Sequence, residues 1–333
     1  MNRVAVIGGG GIAEDHLRAL QAHPAFHPVA VVEIREERAR LLENVFDLAA
    51  YESINEMLLT EKPYMAIIAL PHYLHKEASL LCIEHGVHLL IEKPMALSVK
   101  DCLDIQNAAQ EQNVAIMVAH TQHYLSENLA ACERIGRGDL GELLMVHEER
   151  YIDYFHQERP SWFLSKELAG GGIVMNLGSH SIDKVQWLTG QSFQYVKATC
   201  TFQEQIQGCD VEGSGFLYFE TNHGVPVSIS LSGYEQGQRQ RTELVYRKGR
   251  VVIEMGKGAT LIKQGGEEES LQYRKDSYSP LYRQLEDFHG YLTNGGSLTC
   301  DGPYATSVVH AVECAYRSHS KKRMIDLINT EPL

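Results

Sequence analysis

Three stretches of this 333-residue chain combine residue types that could carry out chemistry. The first, Gly8-Gly9-Gly10-Gly11-Ile12-Ala13, follows an apolar run at the N-terminus. It fits G-x-G-x-x-A, whose small residues allow a tight turn, close approach to a pyrophosphate, and packing of a helix on a strand. A diphosphate would sit on free N–H groups at the helix start. Gly8, Gly10, Gly11, Ile12 and Ala13 are therefore cofactor-binding candidates. The next apolar run ends at Glu33, about 20 residues past the motif. A carboxylate there accepts hydrogen bonds from ribose hydroxyls and repels a 2′-phosphate, which favours NAD(H) over NADP(H). Arg35 and Arg38 lie close by and weaken that preference. Arg38 joins the candidates, although solvated charge at a helix start is its plainer reading.

The second stretch is Glu92-Lys93-Pro94, after the apolar run His88–Ile91. Ligands of open parallel sheets bind beyond the C-terminal strand ends. A lysine there could polarise or protonate a substrate oxygen as hydride moves on or off carbon. The third stretch runs from Gly170-Gly171-Gly172 to Asn176, His180 and Asp183. In a regular helix the last three share one face, and the glycines would let backbone and substrate come close. His180 could take a hydroxyl proton, since imidazole titrates near neutrality. Asp183 could orient that ring. A core histidine beside an aspartate in a salt bridge is the competing reading.

These residues need elements to carry them. β-branched runs at Arg3–Gly8, Val29–Ile34, Met65–Leu70, His88–Ile91 and Ala115–His120 alternate with helical patterns at Ile12–His23, Glu36–Asn44, Lys76–His85 and Val99–Gln112. A weaker strand falls at Leu48–Tyr51, with a helix at Ile54–Thr60. This rhythm predicts a parallel sheet with right-handed crossovers, an α/β Rossmann domain over residues 1–120. Beyond it come a helix at Leu125–Arg137, a strand at Glu142–Ile152 and a helix at Val174–Leu188. Strands follow at Gly215–Glu220, Val225–Gly233, Glu243–Arg247 and Arg250–Met255, with a hairpin turn at Lys248-Gly249. Helices at Leu281–Thr293 and Tyr304–Ser320 close the chain. Clustered strands predict an α+β domain over residues 121–333, with a large, mainly antiparallel open sheet.

Acidic residues outnumber basic ones by 43 to 30, a formal charge of −13. Such a surface repels phosphate backbones, so no nucleic-acid partner is expected. The seven cysteines are scattered and never spaced C-x-x-C. They read as free thiols in a reducing compartment, with no metal site. No signal peptide is read at the N-terminus, and no apolar run reaches the ~20 residues of a membrane helix. A cytoplasmic protein without a membrane partner is expected.

Together the Gly-rich turn, Glu92-Lys93-Pro94 and the Gly-Gly-Gly…Gly-x-His-x-x-Asp segment resemble the glucose–fructose oxidoreductase/inositol dehydrogenase (Gfo/Idh/MocA) family. Leu70-Pro71-His72-Tyr73-Leu74-His75 resembles that family's T-P-N-x-x-H turn, which adds Leu70, Pro71, His72, His75, Glu92 and Lys93 to the cofactor contacts. Ile135-Gly136-Arg137-Gly138-Asp139-Leu140-Gly141-Glu142 resembles its entry to the second domain. The resemblance implies hydride transfer between NAD, with NADP left open, and a sugar, inositol or related polyol or keto-sugar. It makes Lys93 the catalytic lysine and His180 the catalytic histidine. Asn176 stands where many members have aspartate, and an amide exchanges no proton near neutral pH. His72 replaces the usual Asn, and His123 stands where many members have Arg.

The resemblance also directs Gln122, His123, Trp162 and Tyr234 to the substrate, beside Lys93, Asn176 and His180. It implies a homodimer or homotetramer formed through the C-terminal sheet. Two other functions fit the same residues. One is an NAD-dependent glycoside hydrolase; the other, kept open by Asn176, is a non-catalytic NAD-binding regulator.

Overall fold

Val4, Ala5, Val6 and Ile7 have no exposed surface, because the strand they form lies mid-sheet with both faces covered. The computed structural model describes residues 1–202, 206, 208–273 and 278–330. The chain forms two compact units, Met1–Thr121 with Ser277–Thr306, and Gln122–Asp276 with Ser307–Leu333.

The first unit alternates strands and helices: β1 (Asn2–Ile7), α1 (Gly11–Ala22), β2 (Phe26–Val32), α2 (Glu36–Phe46), β3 (Ala49–Tyr51), α3 (Ile54–Glu61), β4 (Met65–Ile68), α4 (His75–Glu84), β5 (His88–Ile91), α5 (Val99–Glu111) and β6 (Ile116–Val118). The six strands are parallel, in the order β3-β2-β1-β4-β5-β6. Strand order reverses between β1 and β4, the switch point where such sheets bind dinucleotides. Unbroken apolar runs such as Met65–Ile68, wholly buried, are what a two-sided parallel sheet requires.

In the second unit α6 (Ser126–Ile135) leads into β7 (Leu143–Asp153), α7 (Lys166–Ala169) and α8 (Ser179–Thr189). The remaining strands are β8 (Phe193–Thr201), β9 (Ser214–Thr221), β10 (Pro226–Ser232), β11 (Tyr234–Tyr246), β12 (Gly249–Glu254), β13 (Gly258–Lys263) and β14 (Glu268–Leu271). Two helices, α9 (Pro280–Asn294) and α10 (Gly302–Lys321), and a short β15 (Ile325–Asp326) close the chain. The nine strands run β14-β13-β12-β11-β7-β10-β9-β8-β15, antiparallel except for β7 beside β10. Along β10, Val227, Ile229 and Leu231 are buried and the residues between them half-buried. Alternation of that kind marks a sheet covered on one face. The Lys248-Gly249 turn joins β11 and β12 as expected. β8, β13 and β14 are strands beyond those expected from the sequence, and β11 begins well before the expected Glu243–Arg247.

Helix α9 belongs to the first unit and packs on α1. His23 lies 4.9 Å from the Tyr282 ring, and its Nε2 lies 3.1 Å from Glu286. Among the described residues, no helix is long and apolar enough to cross a membrane, and no group of three or more His, Cys, Asp or Glu is arranged to hold a metal ion. None of the seven cysteines forms a disulfide among the described residues.

Candidate active site

In the first unit, four loop ends stand in a row along the C-terminal edge of the parallel sheet, in the sheet's own strand order. Glu33 follows β2, the glycine turn follows β1, Leu70-Pro71-His72 follows β4, and Glu92-Lys93 follows β5. Gly8 has φ +103°, and a Cβ there would fall on the Ala69 carbonyl, so the tight turn demands glycine. At Gly10 and Gly11 an added Cβ meets nothing within 4 Å among the described residues. Gly10 precedes α1 without a capping side chain, which leaves early N–H groups of the helix for an anion. Ala13 is fully buried and Ile12 exposed. This cradle fits the diphosphate of a dinucleotide.

Glu33 is 6% exposed. It accepts hydrogen bonds from the Gly9 N–H at 3.1 Å and from Arg35 Nε and Nη2 at 3.0 and 2.8 Å. Burial works against its charge, but the Arg35 and Gly9 bonds outweigh burial and hold the carboxyl below its ordinary pKa. Arg38 is not the solvated charge of its plainer reading. Its Nε donates to the Gly9 carbonyl at 2.6 Å, Nη2 donates to that of Gly10 at 3.2 Å, and Nη1 pairs with Glu14 at 2.6 Å. Arg38 thus braces the glycine turn.

Histidines surround the next two loops. His72 is 5% exposed. His75 has no exposed surface, and its ring nitrogens lie 2.9 Å from the Pro94 carbonyl and 2.8 Å from that of Leu70. A neutral imidazole has one N–H, so the ring, closed to solvent, donates to one of these carbonyls and packs against the other rather than presenting a free nitrogen to a cofactor. His16 was not singled out from the sequence. It lies on the buried side of α1, with Nε2 2.9 Å from Glu92 Oε1. Burial alone would raise the Glu92 pKa, but the His16 bond and the charges of His16 and Lys93 outweigh it and hold the carboxyl low. Lys93 itself is half-buried, and the Lys93–Pro94 peptide is cis.

In the second unit the third stretch differs from a regular helix. Val174–Gly178 forms a π-helical turn, with Ser179 N–H donating to the Val174 carbonyl, before α8 begins. The wider turn breaks the 100° step, so Asn176 does not share a regular helix face with His180 and Asp183. The glycines also serve another purpose than expected. A Cβ on Gly171 would collide with Tyr316, and one on Gly172 with the Glu212 carbonyl. The close approach is therefore to protein, not to substrate. Glu212, 2% exposed, accepts from the N–H groups of Gly172 and Val174, each at 2.9 Å, and from Tyr316 Oη at 2.7 Å. Burial still raises its pKa. No sequence motif pointed to Glu212; it lies about forty residues past the helix start it holds.

Asp183 is fully buried, with Oδ1 2.6 Å from His123 Nε2, and His123 stacks on Trp187 at 4.5 Å and 13°. Behind them lies a buried ionic cluster. Glu148 meets Lys184 Nζ at 2.9 Å and accepts from Ser181 and Thr242 at 2.9 and 2.5 Å. Burial lowers the Arg150 pKa to about 10, against the pull of Glu148 and Asp183. Burial likewise lowers Lys184. Glu148 and Arg150 are one β7 turn of alternation apart, so a polar pattern on a strand's inner face was the available signal.

Two substrate-contact expectations are revised. Gln122, 4% exposed, accepts from Asn128 Nδ2 with its backbone and amide oxygens, and from Gln240 Nε2 with its amide oxygen at 3.2 Å. His123, 2% exposed, is held by Asp183 and Trp187. Both are braces within their unit. Asn176 is 6% exposed and His180 half-buried. Trp162 stacks on Phe163, with centroids 3.6 Å apart. Tyr234 is 42% exposed and stacks on Phe155 at 5.4 Å.

Comparison with known proteins now bears on this arrangement. Residues 2–120 match the model of the oxidoreductase family with NAD-binding Rossmann fold, and residues 128–252 match the GFO/IDH/MocA C-terminal domain. The D-glucoside 3-dehydrogenase of Escherichia coli K12 is 26% identical over 272 residues, 71% of this chain and 76% of that protein. A 2,7-anhydro-N-acetylneuraminate hydratase of the same strain is 34% identical over 139 residues, 42% of this chain but only 37% of that protein. Other curated relatives are matched over about half their length, at 51%, 49% and 46%. The solved structure of levoglucosan dehydrogenase with NADH shares the fold at a TM-score of 0.88, with 20% identity over 98% of this chain and 99% of that chain. With both of its units matched, the chain belongs to the GFO/IDH/MocA family of oxidoreductases, and its first unit is an NAD-binding Rossmann domain.

Proposed function

We propose that the protein moves a hydride between NAD(H) and a carbinol carbon of a sugar, inositol or related polyol or keto-sugar. The observation that carries this reading is the row of loop ends on the first unit. It sets Lys93, after β5, on the same sheet edge as the glycine turn after β1. NAD, when bound, supplies the hydride acceptor. Gly10 and Gly11 take its diphosphate at the start of α1, and Glu33 takes its ribose and disfavours a 2′-phosphate. Lys93 polarises the reacting oxygen, and His180 takes up or returns the hydroxyl proton. The π-helical turn just before His180 supports that role, because such turns concentrate at functional sites. Asn176 orients by hydrogen bonds without exchanging a proton.

The test is reduction of NAD⁺, and oxidation of NADH, across a panel of aldopyranosides, inositols and their keto forms. Turnover is expected on at least one member. It should fall by roughly 10²- to 10⁴-fold in His180→Ala and in Lys93→Met. No turnover in either direction on the whole panel would overturn the reading.

The hydratase relative favours a second reading, in which hydride leaves and returns to the same molecule. Hydrolysis of an aryl glycoside with release of its aryl alcohol, or hydration of an anhydro-sugar, with no net change at the nicotinamide band would select it. We further propose that a second copy of this chain covers the open face of the nine-stranded sheet, where Phe216 is 58% exposed. Light scattering showing only monomer at micromolar concentration would remove that proposal.

A further inference from the structure

Glu92-Lys93-Pro94 is gripped on both sides of the lysine, each time by a histidine from a different helix. On the N-terminal side, His16 of α1 has its side chain entirely out of solvent, with Nε2 2.9 Å from Glu92 Oε1. Its other nitrogen, Nδ1, has no hydrogen-bond partner among the described residues. A carboxylate oxygen only accepts, so Nε2 carries the N–H and donates it to Glu92. The second Glu92 oxygen accepts the Lys93 backbone N–H at 3.2 Å. On the C-terminal side, His75 at the start of α4 has Nδ1 2.9 Å from the Pro94 carbonyl and Nε2 2.8 Å from that of Leu70. Burial lowers its pKa and a neutral imidazole donates one hydrogen bond, so the tautomer that serves this loop donates from Nδ1 to Pro94. The ring thereby holds the loop after β5 and packs against the loop after β4. The charged and titratable groups acting on Glu92 are His16 from α1, His75 from α4 and Lys93 beside it.

Burial explains why these contacts matter. A hydrogen bond between groups closed to water is not in exchange with solvent, and losing one partner strands the other. Lys93 is a long, flexible side chain with three rotatable donors, so its aim depends on how firmly its backbone is held. His16 also lies on the helix whose first residues form the dinucleotide cradle. One hydrogen bond therefore links that helix to the carboxylate next to Lys93.

We propose that His16 and His75 are positioning residues for Lys93, with His16 acting through the Glu92 carboxylate and His75 through the Pro94 carbonyl. The proposal rests on the reading of Lys93 as the group that polarises the reacting oxygen, and it deepens that reading.

The experiment needs no substrate. Lysines of the full chain are reductively ¹³C-methylated, and the Lys93 resonance is assigned by its absence in Lys93→Arg. Its pH titration is followed in the wild type, Glu92→Gln, His16→Leu, His16→Gln and His75→Leu, and NADH binding is followed by fluorescence. In Glu92→Gln the Lys93 midpoint should fall by about one pH unit, because a neighbouring negative charge is gone. In His16→Leu and His75→Leu the line should broaden or split, and His16→Gln, which keeps an N–H donor, should restore it. Unchanged lines in both histidine variants overturn the positioning role, even if Glu92→Gln shifts. Should the leucine variants fail to fold, an unshifted midpoint in the near-isosteric Glu92→Gln, or a Lys93 line in His16→Gln unlike that of the wild type, overturns it. Turnover of Lys93→Arg tests the acid–base reading separately: activity there ends that reading without altering what the resonances report.

Discussion

Asp183 Oδ1 stands 2.6 Å from His123 Nε2, and both side chains are closed to solvent. The contact binds the segment before α6 to the middle of α8, within one turn of His180. It also shares its surroundings with Arg150 and Lys184, two buried cations balanced by Glu148 and Asp183.

Removing one anion from that balance should be costly. Asp183→Ala is expected to lose about 3–5 kcal/mol of stability, as breaking a buried ion pair does by leaving partners uncompensated. Urea unfolding with an unchanged m-value checks it. A loss below about 1 kcal/mol would mean that the pair contributes no more than a surface contact.

Two glycines of one turn should answer differently to alanine. Gly8→Ala forces a side chain to φ +103° and onto the Ala69 carbonyl, and should cost about 1–3 kcal/mol of stability. Gly10→Ala meets no protein atom and should leave the melting temperature nearly unchanged. In the proposed binding mode its Cβ would enter the space for the diphosphate, so NADH affinity should drop at least ~10-fold, about 1.4 kcal/mol. Equal losses of stability in both variants would contradict this division.

Cofactor choice should rest on Glu33. Its carboxylate, held by Gly9 and Arg35, repels a 2′-phosphate, whereas Arg35 would attract one if released. Glu33→Ser is expected to raise the NADPH-to-NADH affinity ratio roughly 10- to 100-fold, measured by fluorescence titration of each nucleotide.

The acid limb of stability should depend on Glu92. Its native pKa is depressed below 4.5, with the His16 bond and nearby positive charge outweighing burial. Its contribution is therefore present above the unfolded value and lost as pH falls through the native one. Unfolding midpoints from about pH 7 to about pH 3 should decline less steeply in Glu92→Gln than in the wild type. Parallel curves would argue against the depressed pKa.

Local chemistry left clear marks in the sequence. The glycine turn, Glu33, the Lys93 loop and nearly every element of the first unit follow from periodicity, because a parallel sheet buried on both faces forces apolar runs and crossover helices. β8 and β13 were harder to read, since on a one-sided sheet half of each strand is polar, as in Phe193-Gln194-Tyr195-Val196-Lys197. The start of β11, Tyr234-Glu235-Gln236-Gly237-Gln238, carries almost no apolar signal at all.

Partnership between distant side chains is another matter. The sequence by itself determined which residues could do chemistry and which strand ends would present them, because residue type and hydrophobic period are local properties. Only the tertiary structure decided that His75 is buried between two loops, that His16 holds Glu92, that Asp183 answers to His123, and that the glycines near His180 make room for Tyr316 and Glu212. Hydrogen bonds and close contacts join atoms 60 to 141 residues apart as readily as neighbours, and no spacing along the chain encodes which of them will meet.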